Sequence, residues 1–505
     1  AINDFLVEML VSANPAKGGG RDVTVIEAME QTTSSIAQSL ADQPEVEAAV
    51  LQVIGTTYRE LGRFDDAEPI FRAALKLSRQ NGTPHEITLA LNGLGLTLHK
   101  LGRDAEAESC FREALAIDRK HLAPDHHDTL CSLTNLASIL RYQDRLDEVE
   151  QVLHEILAAF ERNPSAAEAG DIAATRANLG ALLMDKGDYL AAAAELRNAL
   201  AGVTEELGAD HPSRASVLAA LAMAHFDLGE LDSAATMMRE SIAICEHAFG
   251  EGHPSVGRNR YGLGMILEAA GQTVQAEQEY QAALAITRTS LGPAHAQVAE
   301  VLRALASLLC GRGEYQAATS LLDEAETIVT TTSGRESAAY ATTLGIRGWI
   351  ELGSGRLDAA EVAASRALEL RRRLFGEESL PFAASLSLQA SVLAALGRHD
   401  EAFPAFAKAI ATLEQLGDPS PRRLIECRTH YGSQLAKVGR LDEAERELRQ
   451  AVQSLQKHPS FDPALRSKAL DALIELSEAC GKPDRADEYR RLRALPADAG
   501  APPPR

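Results

Sequence analysis

Aromatic residues are scarce in this chain of 505 residues, at 4% with a single Trp, and no apolar run approaches the length of a membrane-spanning helix, about 18 residues or more. The first scarcity leaves Ala and Leu to supply most of the apolar surface, which favours helices packed closely through small side chains. The second excludes a membrane span within the chain, and no signal-peptide pattern opens it. Positive charge is in deficit, 50 Lys and Arg against 72 Asp and Glu for a net charge of −22. A basic face able to neutralise phosphates is therefore missing, which argues against nucleic-acid binding. The six cysteines, at 110, 131, 245, 310, 427 and 480, lie far apart and form no Cys-x-x-Cys pair. They read as scattered thiols rather than a disulfide framework or a zinc site, and lean toward a reducing compartment.

Catalytic signatures are lacking too. There is no Gly-x-Ser-x-Gly, His-Glu-x-x-His, dinucleotide-binding glycine pattern or kinase signature. The stretch NPAKGGGRDVTV, residues 14–25, has the glycines of a phosphate-cradling loop, but Lys17 precedes them and Arg21-Asp22 follows, the wrong order for a Walker loop. The preceding segment puts Phe5, Leu6, Met9 and Leu10 on one helical face rather than on a strand. A flexible joint results, ending at Asp22 as N-cap of a helix from about Val23 to Ala41. DHHD, residues 125–128, offers two imidazoles and two carboxylates to a metal, yet His126 aligns with His211, His253 and His295 before successive helices, as a structural loop residue would. The acidic pairs Asp65-Asp66, Asp147-Glu148 and Asp442-Glu443 also recur in register and suit helix N-termini better than acid–base chemistry. No catalytic residue, metal site or cofactor is assigned.

What the chain does have is a repeat. LGRFDDAE from Leu61 returns as LGRDAEAE from Leu101, LGELDSAA from Leu228, LGRHDEAF from Leu396 and VGRLDEAE from Val438. The seventh position of the phrase falls at Ala67, Ala107, Val149, Ala192, Ala234, Ala276, Ala318, Ala360, Ala402, Ala444 and Ala486, spaced by 40, 42, 43 and then 42 throughout. A Gly stands five residues before each, except at Asp144, and a small residue twelve before, from Gly55 through Gly264 to Gly432, with Ile474 in the last unit. Each unit reads as an apolar helical segment, a break at Gly, and a second segment that begins with acidic residues. One such pair cannot bury its apolar stripe alone, so the pairs must stack.

This pattern resembles the tetratricopeptide repeat, and its 42-residue period resembles the kinesin light chain-like subtype. LGADHPS from Leu207, FGEGHPS from Phe249, LGPAHAQ from Leu291 and the degraded LAPDHHDT from Leu122 support the subtype. The resemblance spans about residues 44–494 and implies an all-α, right-handed α-solenoid of about eleven helix-turn-helix repeats. Residues 1–43 then form an N-terminal helix, glycine joint and capping helix, and 495–505 a disordered Pro/Ala-rich tail. Local distortion is expected at Arg347, where an apolar residue belongs, and at the irregular NPSAAEAGD before the fourth repeat. The segment around FLVEML, NP and GRDVTV also resembles the region preceding C-terminal tetratricopeptide repeats in bacterial Hanks-type serine/threonine kinases. With Ala1 in place of Met, it suggests a piece of a longer chain. The compartment would be cytoplasmic for a free-standing protein and extracytoplasmic if a transmembrane helix precedes.

The resemblance further implies recognition of a protein or peptide on a concave face lined by first helices, without membrane contact by the solenoid. Positions six, three and two before the first-helix small residue, and one after it, project there in the family. They select Asn92, Thr134, Asn135, Ser138, Asn178, Ser216, Met223, Arg258, Tyr261, Met265, Arg303, Thr342 and Trp349. Asn amides suit a peptide backbone, Arg258 and Arg303 a carboxylate, and Tyr261, Met265 and Trp349 an apolar floor. For any one of them the alternative is a solvated helix position, and the acidic composition leaves a basic partner open. Two functions follow: a non-catalytic interaction scaffold, or the sensor region of a receptor kinase.

Overall fold

In the computed structural model, which describes residues 40–494 except 41, 61–62, 144, 168–169, 417–421 and 457–462, the repeat register becomes twenty-two α-helices in repeated pairs, with no strand among the described residues. The chain falls into two units, one ending at Leu182 and one beginning at Leu183. In the first, α1 (Pro44–Glu60), α2 (Phe64–Asn81), α3 (Pro84–Lys100), α4 (Asp104–His121), α5 (His127–Tyr142) and α6 (Leu146–Arg162) lead into α7 (Asp171–Asp185). The second runs through α8 (Tyr189–Leu207), α9 (Pro212–Asp227), α10 (Leu231–Phe249), α11 (Pro254–Ala269), α12 (Thr273–Leu291), α13 (Ala296–Gly311) and α14 (Tyr315–Thr332). It continues through α15 (Ala338–Gly353), α16 (Leu357–Phe375), α17 (Leu380–Ala395), α18 (His399–Gln415), α19 (Arg422–Lys437), α20 (Leu441–Gln456), α21 (Pro463–Ala479) and α22 (Pro483–Ala494). The N-terminal joint, the segment carrying the kinase-linker resemblance and the Pro/Ala-rich tail lie outside the described residues.

Small residues on the first helix of a pair exist to admit a large one from the second. A Cβ at Gly95 would stand 2.6 Å from the Phe111 ring, and one at Gly264 the same distance from the Tyr280 ring. The rings are almost wholly buried in return, Phe111 and Tyr280 each at 1% exposure, and a buried ring of this size contributes roughly 1.5–3 kcal/mol. The turn within a pair needs a left-handed residue: Gly229 takes φ 81°, a region in which a side chain is strained.

The recurring histidines are N-caps. In His126, His211, His253 and His295, Nδ1 accepts the backbone N–H two residues on, at 3.2 Å in each case. An orphan donor at the positive end of a helix is thereby satisfied, with Pro212 and Pro254 at the next position, where no N–H is needed. Asp128 accepts from His85 of α3 at 2.6 Å, so the DHHD segment ties successive pairs together.

The acidic first turns carry a second regularity. Arg72 pairs with Glu68 and Glu106, Arg103 with Glu68 and Glu106, Arg112 with Glu108 and Glu148, and Arg145 with Glu108 and Glu148, a ladder along the second helices of the first three pairs. The distortion expected at Arg347 is not found. Helix α15 runs unbroken, because Arg347 reaches Asp323 at 2.7 Å and Glu326 at 2.8 Å on α14 and stays at the surface of the seam. The irregular NPSAAEAGD does interrupt the pattern: α6 ends at Arg162, a single 3-10 turn covers Pro164–Ala166, and α7 starts only at Asp171.

Candidate functional site

Where that interruption falls, the first unit is incompletely filled. A cavity of about 390 Å³ lies among α5, α6 and α7. Its apolar lining is Leu130 of α5 with Val149, Leu153, Ile156 and Phe160 of α6, which in a regular stack would be covered by the next first helix. Helix α7 presents Ala174, Thr175 and Asn178 there, side chains too small to fill the space. The polar lining includes Thr134, Asn135 and Ser138 of α5 with Asn178 of α7, four of the residues the sequence register selects, together with His127, Cys131 and Arg141 of α5 and Asp171 of α7.

Their chemistry divides. Thr134 and Ser138 donate to the carbonyls of Leu130 (2.9 Å) and Thr134 (3.0 Å), spending their protons on the helix. The side-chain amides of Asn135 and Asn178 make no hydrogen bond to the described residues, so each offers one donor pair and one acceptor. An apolar floor with two free amides beside it suits an extended peptide that buries one apolar side chain and bonds through its backbone. Asn92 is different. Its amide donates to Ser132 Oγ at 3.1 Å, and Ser132 donates to Asp118 at 2.7 Å, a buried tie between successive pairs. Burial pushes the Asp118 carboxyl above its usual range, with the Ser132 hydroxyl partly offsetting this.

In the second unit the selected residues are less uniform. Ser216 and Arg258 are exposed, and Arg258 makes no ion pair or hydrogen bond to the described residues. Met223, Tyr261 and Met265 are half-buried against the core, with the Tyr261 ring 5.8 Å from that of Tyr280. Thr342 donates to its own helix at Ala338. Arg303 bonds the Ala339 carbonyl at 2.9 Å, and burial lowers its pKa. Trp349 already has a neighbour: its ring lies 5.1 Å from that of His430, two pairs further on, so it is no vacant floor.

Two groups the sequence reading missed stand near these. Arg371 of α16 donates to the Pro381 carbonyl at 3.1 Å and to Ser385 at 3.0 Å. Its guanidinium lies against Gly345, where a Cβ would stand 3.6 Å from Nη2. Burial, and then the Arg423 charge, lower its pKa to about 10, and no carboxylate among the described residues pairs with it. Asp227, at the end of α9, is pushed up to about 6 by burial, and the same Arg423 only partly offsets this. One guanidinium at the start of α19 thus acts on side chains from α9 and α16.

The tetratricopeptide-repeat family model matches residues 45–120, 86–162, 171–247, 219–289, 255–331, 297–373 and 381–457. The chain belongs to the tetratricopeptide repeat family. No curated protein matches it. Among solved structures, the apo form of RapI is 12% identical over 74% of this chain and 99% of its own, with a TM-score of 0.54, a likeness of fold alone. BtubC (BKLC) from P. vanneervenii is 21% identical, covering 46% of this chain and 92% of its own at a TM-score of 0.39. A Podosopora anserina putative kinesin light chain with nearly identical TPR-like repeats is 22% identical, covering 40% and 94%, at 0.36.

Within this tetratricopeptide repeat chain, a faint signal for Arg371 was present. It occupies the eleventh position after the second-helix alanine, a seam position held by Ser78, Cys245, Thr287 and Val329 elsewhere. The only other charge at that position in the repeats is Asp118, and the run LRRRLF hides which arginine turns inward. The family and its fold are generally non-catalytic.

Proposed function

We propose that this chain is an interaction scaffold that binds a peptide or an extended protein segment along its first-helix faces, with one apolar side chain of the ligand seated in the α5–α6–α7 cavity. One observation carries the reading: residues selected by register alone, Asn135 and Asn178, converge on an apolar-floored cavity with their amides unengaged. The volume is of the size that holds small ligands, about 300–1,000 Å³, and therefore accepts a Leu, Phe or Trp side chain. In the second unit, Arg258, Arg303 and Arg371 lack a carboxylate partner among the described residues, which favours a ligand segment bearing a carboxylate over a basic one.

The test begins with selection of peptides from a displayed random library on the immobilised chain. Binding of the selected peptides is then compared with the Arg258→Ala, Arg303→Ala double variant. The reading predicts recovered sequences of two kinds, some with a large apolar residue that the cavity of the first unit takes, and acidic ones that bind the double variant more weakly at unchanged helical content. Recovery of no consensus, or equal binding by both proteins, would sink it.

A further inference from the structure

The same cavity contains a nucleophile that peptide binding does not use. Cys131 lines it, one turn into α5, with its Sγ 3.4 Å from Nε2 of His127, the first residue of that helix. The i,i+4 spacing stacks the imidazole over the thiol on one helix face. His127 is exposed and Cys131 half-buried, so the pair stands where the cavity meets solvent. The other thiols are placed differently. Burial pushes Cys110, Cys245 and Cys310 up from the ordinary thiol range and Cys427 up to about 12. No imidazole contacts any of those four among the described residues. A thiol reacts as its thiolate, and a neighbouring imidazole promotes that form where apolar burial opposes it. Cys131 therefore joins three properties that no other cysteine here combines: a proton acceptor in contact, an opening to solvent, and an apolar chamber beside the sulfur.

We propose that Cys131 is a covalent modification site for a small electrophile of the α,β-unsaturated carbonyl class, whose apolar part the cavity holds while His127 accepts the thiol proton. In the addition, the sulfur electron pair forms the S–C bond at the β-carbon and the alkene π pair moves to the α-carbon. The proton taken by His127 Nε2 is returned to the α-carbon. No group leaves, and no oxidant or reductant is needed. The adduct fills the space assigned above to a ligand's apolar side chain, so modification would exclude that ligand. This consequence rests on the proposed function, whereas the reactivity of Cys131 does not.

The experiment is pulsed labelling of the full chain at pH 7 with substoichiometric N-ethylmaleimide, quenched with excess thiol and mapped by peptide mass spectrometry. Cys131 should label about tenfold faster than Cys110, Cys245, Cys310 or Cys427, and several-fold faster than Cys480. In His127→Asn, which keeps a polar residue in the first turn and cannot take the proton, the Cys131 rate should fall about tenfold at pH 7. Its pH–rate profile should move to higher pH while the other thiols are unchanged. N-cyclohexylmaleimide should gain on N-ethylmaleimide at Cys131 but not at Cys480, which reports the cavity and not mere exposure. A Cys131 rate within twofold of the Cys480 rate, or no response to His127→Asn, would overturn the proposal. Equal preference between the two maleimides at both cysteines would remove the cavity from it. Peptide binding lost on labelling supports the shared site; labelling as predicted with peptide binding intact would tell against the proposed function and leave the thiol assignment standing.

Discussion

Asp227 shows at the scale of one side chain how a position that looks ordinary in sequence acquires unusual energetics. It follows Phe226 at the end of α9 like any acidic residue near a turn, yet burial raises its folded-state pKa to about 6, from roughly 3.9 in an unfolded chain. Folding therefore favours the protonated form. Asp227 carries no charge penalty below about pH 4, and its stability contribution falls as pH rises to about 6 and is constant above. Asp227→Asn should remove that slope. Thermal melts of both proteins from pH 4 to 7.5 should show the variant gaining on wild type up to about pH 6, then holding its lead; a difference independent of pH would contradict the assignment. The sequence does not announce Asp227 or the Trp349–His430 contact, because each depends on side chains from helices well separated in the chain. The register that selects Asn135, Asn178 and Asn92 does not show that the Asn92 amide donates to Ser132, because Ser132 lies in the next pair.

The helix is the scale at which sequence and structure agree most closely, since caps, turn glycines and small packing residues are local devices. His253 was readable as a loop residue from its alignment with His211 and His295, and the structure supplies the reason in its bond to the Ser255 N–H. His253→Ala should cost about 1 kcal/mol of local stability, and His253→Asn should recover most of it, since Asn caps well. Amide exchange in the first turn of α11 is the measure, and equal exchange in both variants would refute the cap. The small-residue register was also visible, but not what fills it: Phe111 and Tyr280 play one role with different chemistry, Tyr280 donating to Glu268 at 2.8 Å. The ladder from Arg72 to Glu148 lay in plain view as recurring charge but reads only as helix N-terminal acidity until successive second helices stand side by side.

Stacked pairs have stability that is close to a sum of local terms and neighbour contacts. Gly264→Val drives a side chain into the Tyr280 ring and should cost on the order of 1–3 kcal/mol. Exchange should rise in α11, α12 and the flanking helices while α1–α4 stay as protected as in wild type. Uniform loss of protection would mean that the chain unfolds as one cooperative body. The interruption between the third and fourth repeats was legible as an irregular phrase, but its result was not. A broken register predicts distortion in general, and only the side chains at 174, 175 and 178 decide that the result is a cavity. With net charge −22, the molecule repels acidic ligands at long range, so under the proposed function Arg258 and Arg303, which lack carboxylate partners among the described residues, would act at contact distance.

The central claim is that ligand recognition runs through the register-selected amides at the cavity. Titration calorimetry of a library-selected peptide against wild type and the Asn135→Ala, Asn178→Ala double variant tests it most directly. Loss of two peptide-backbone hydrogen bonds should weaken binding by about 1–3 kcal/mol, roughly fivefold to 150-fold, with the circular dichroism spectrum and melting unchanged. Equal affinity for both proteins would contradict the claim and place the peptide elsewhere on the chain.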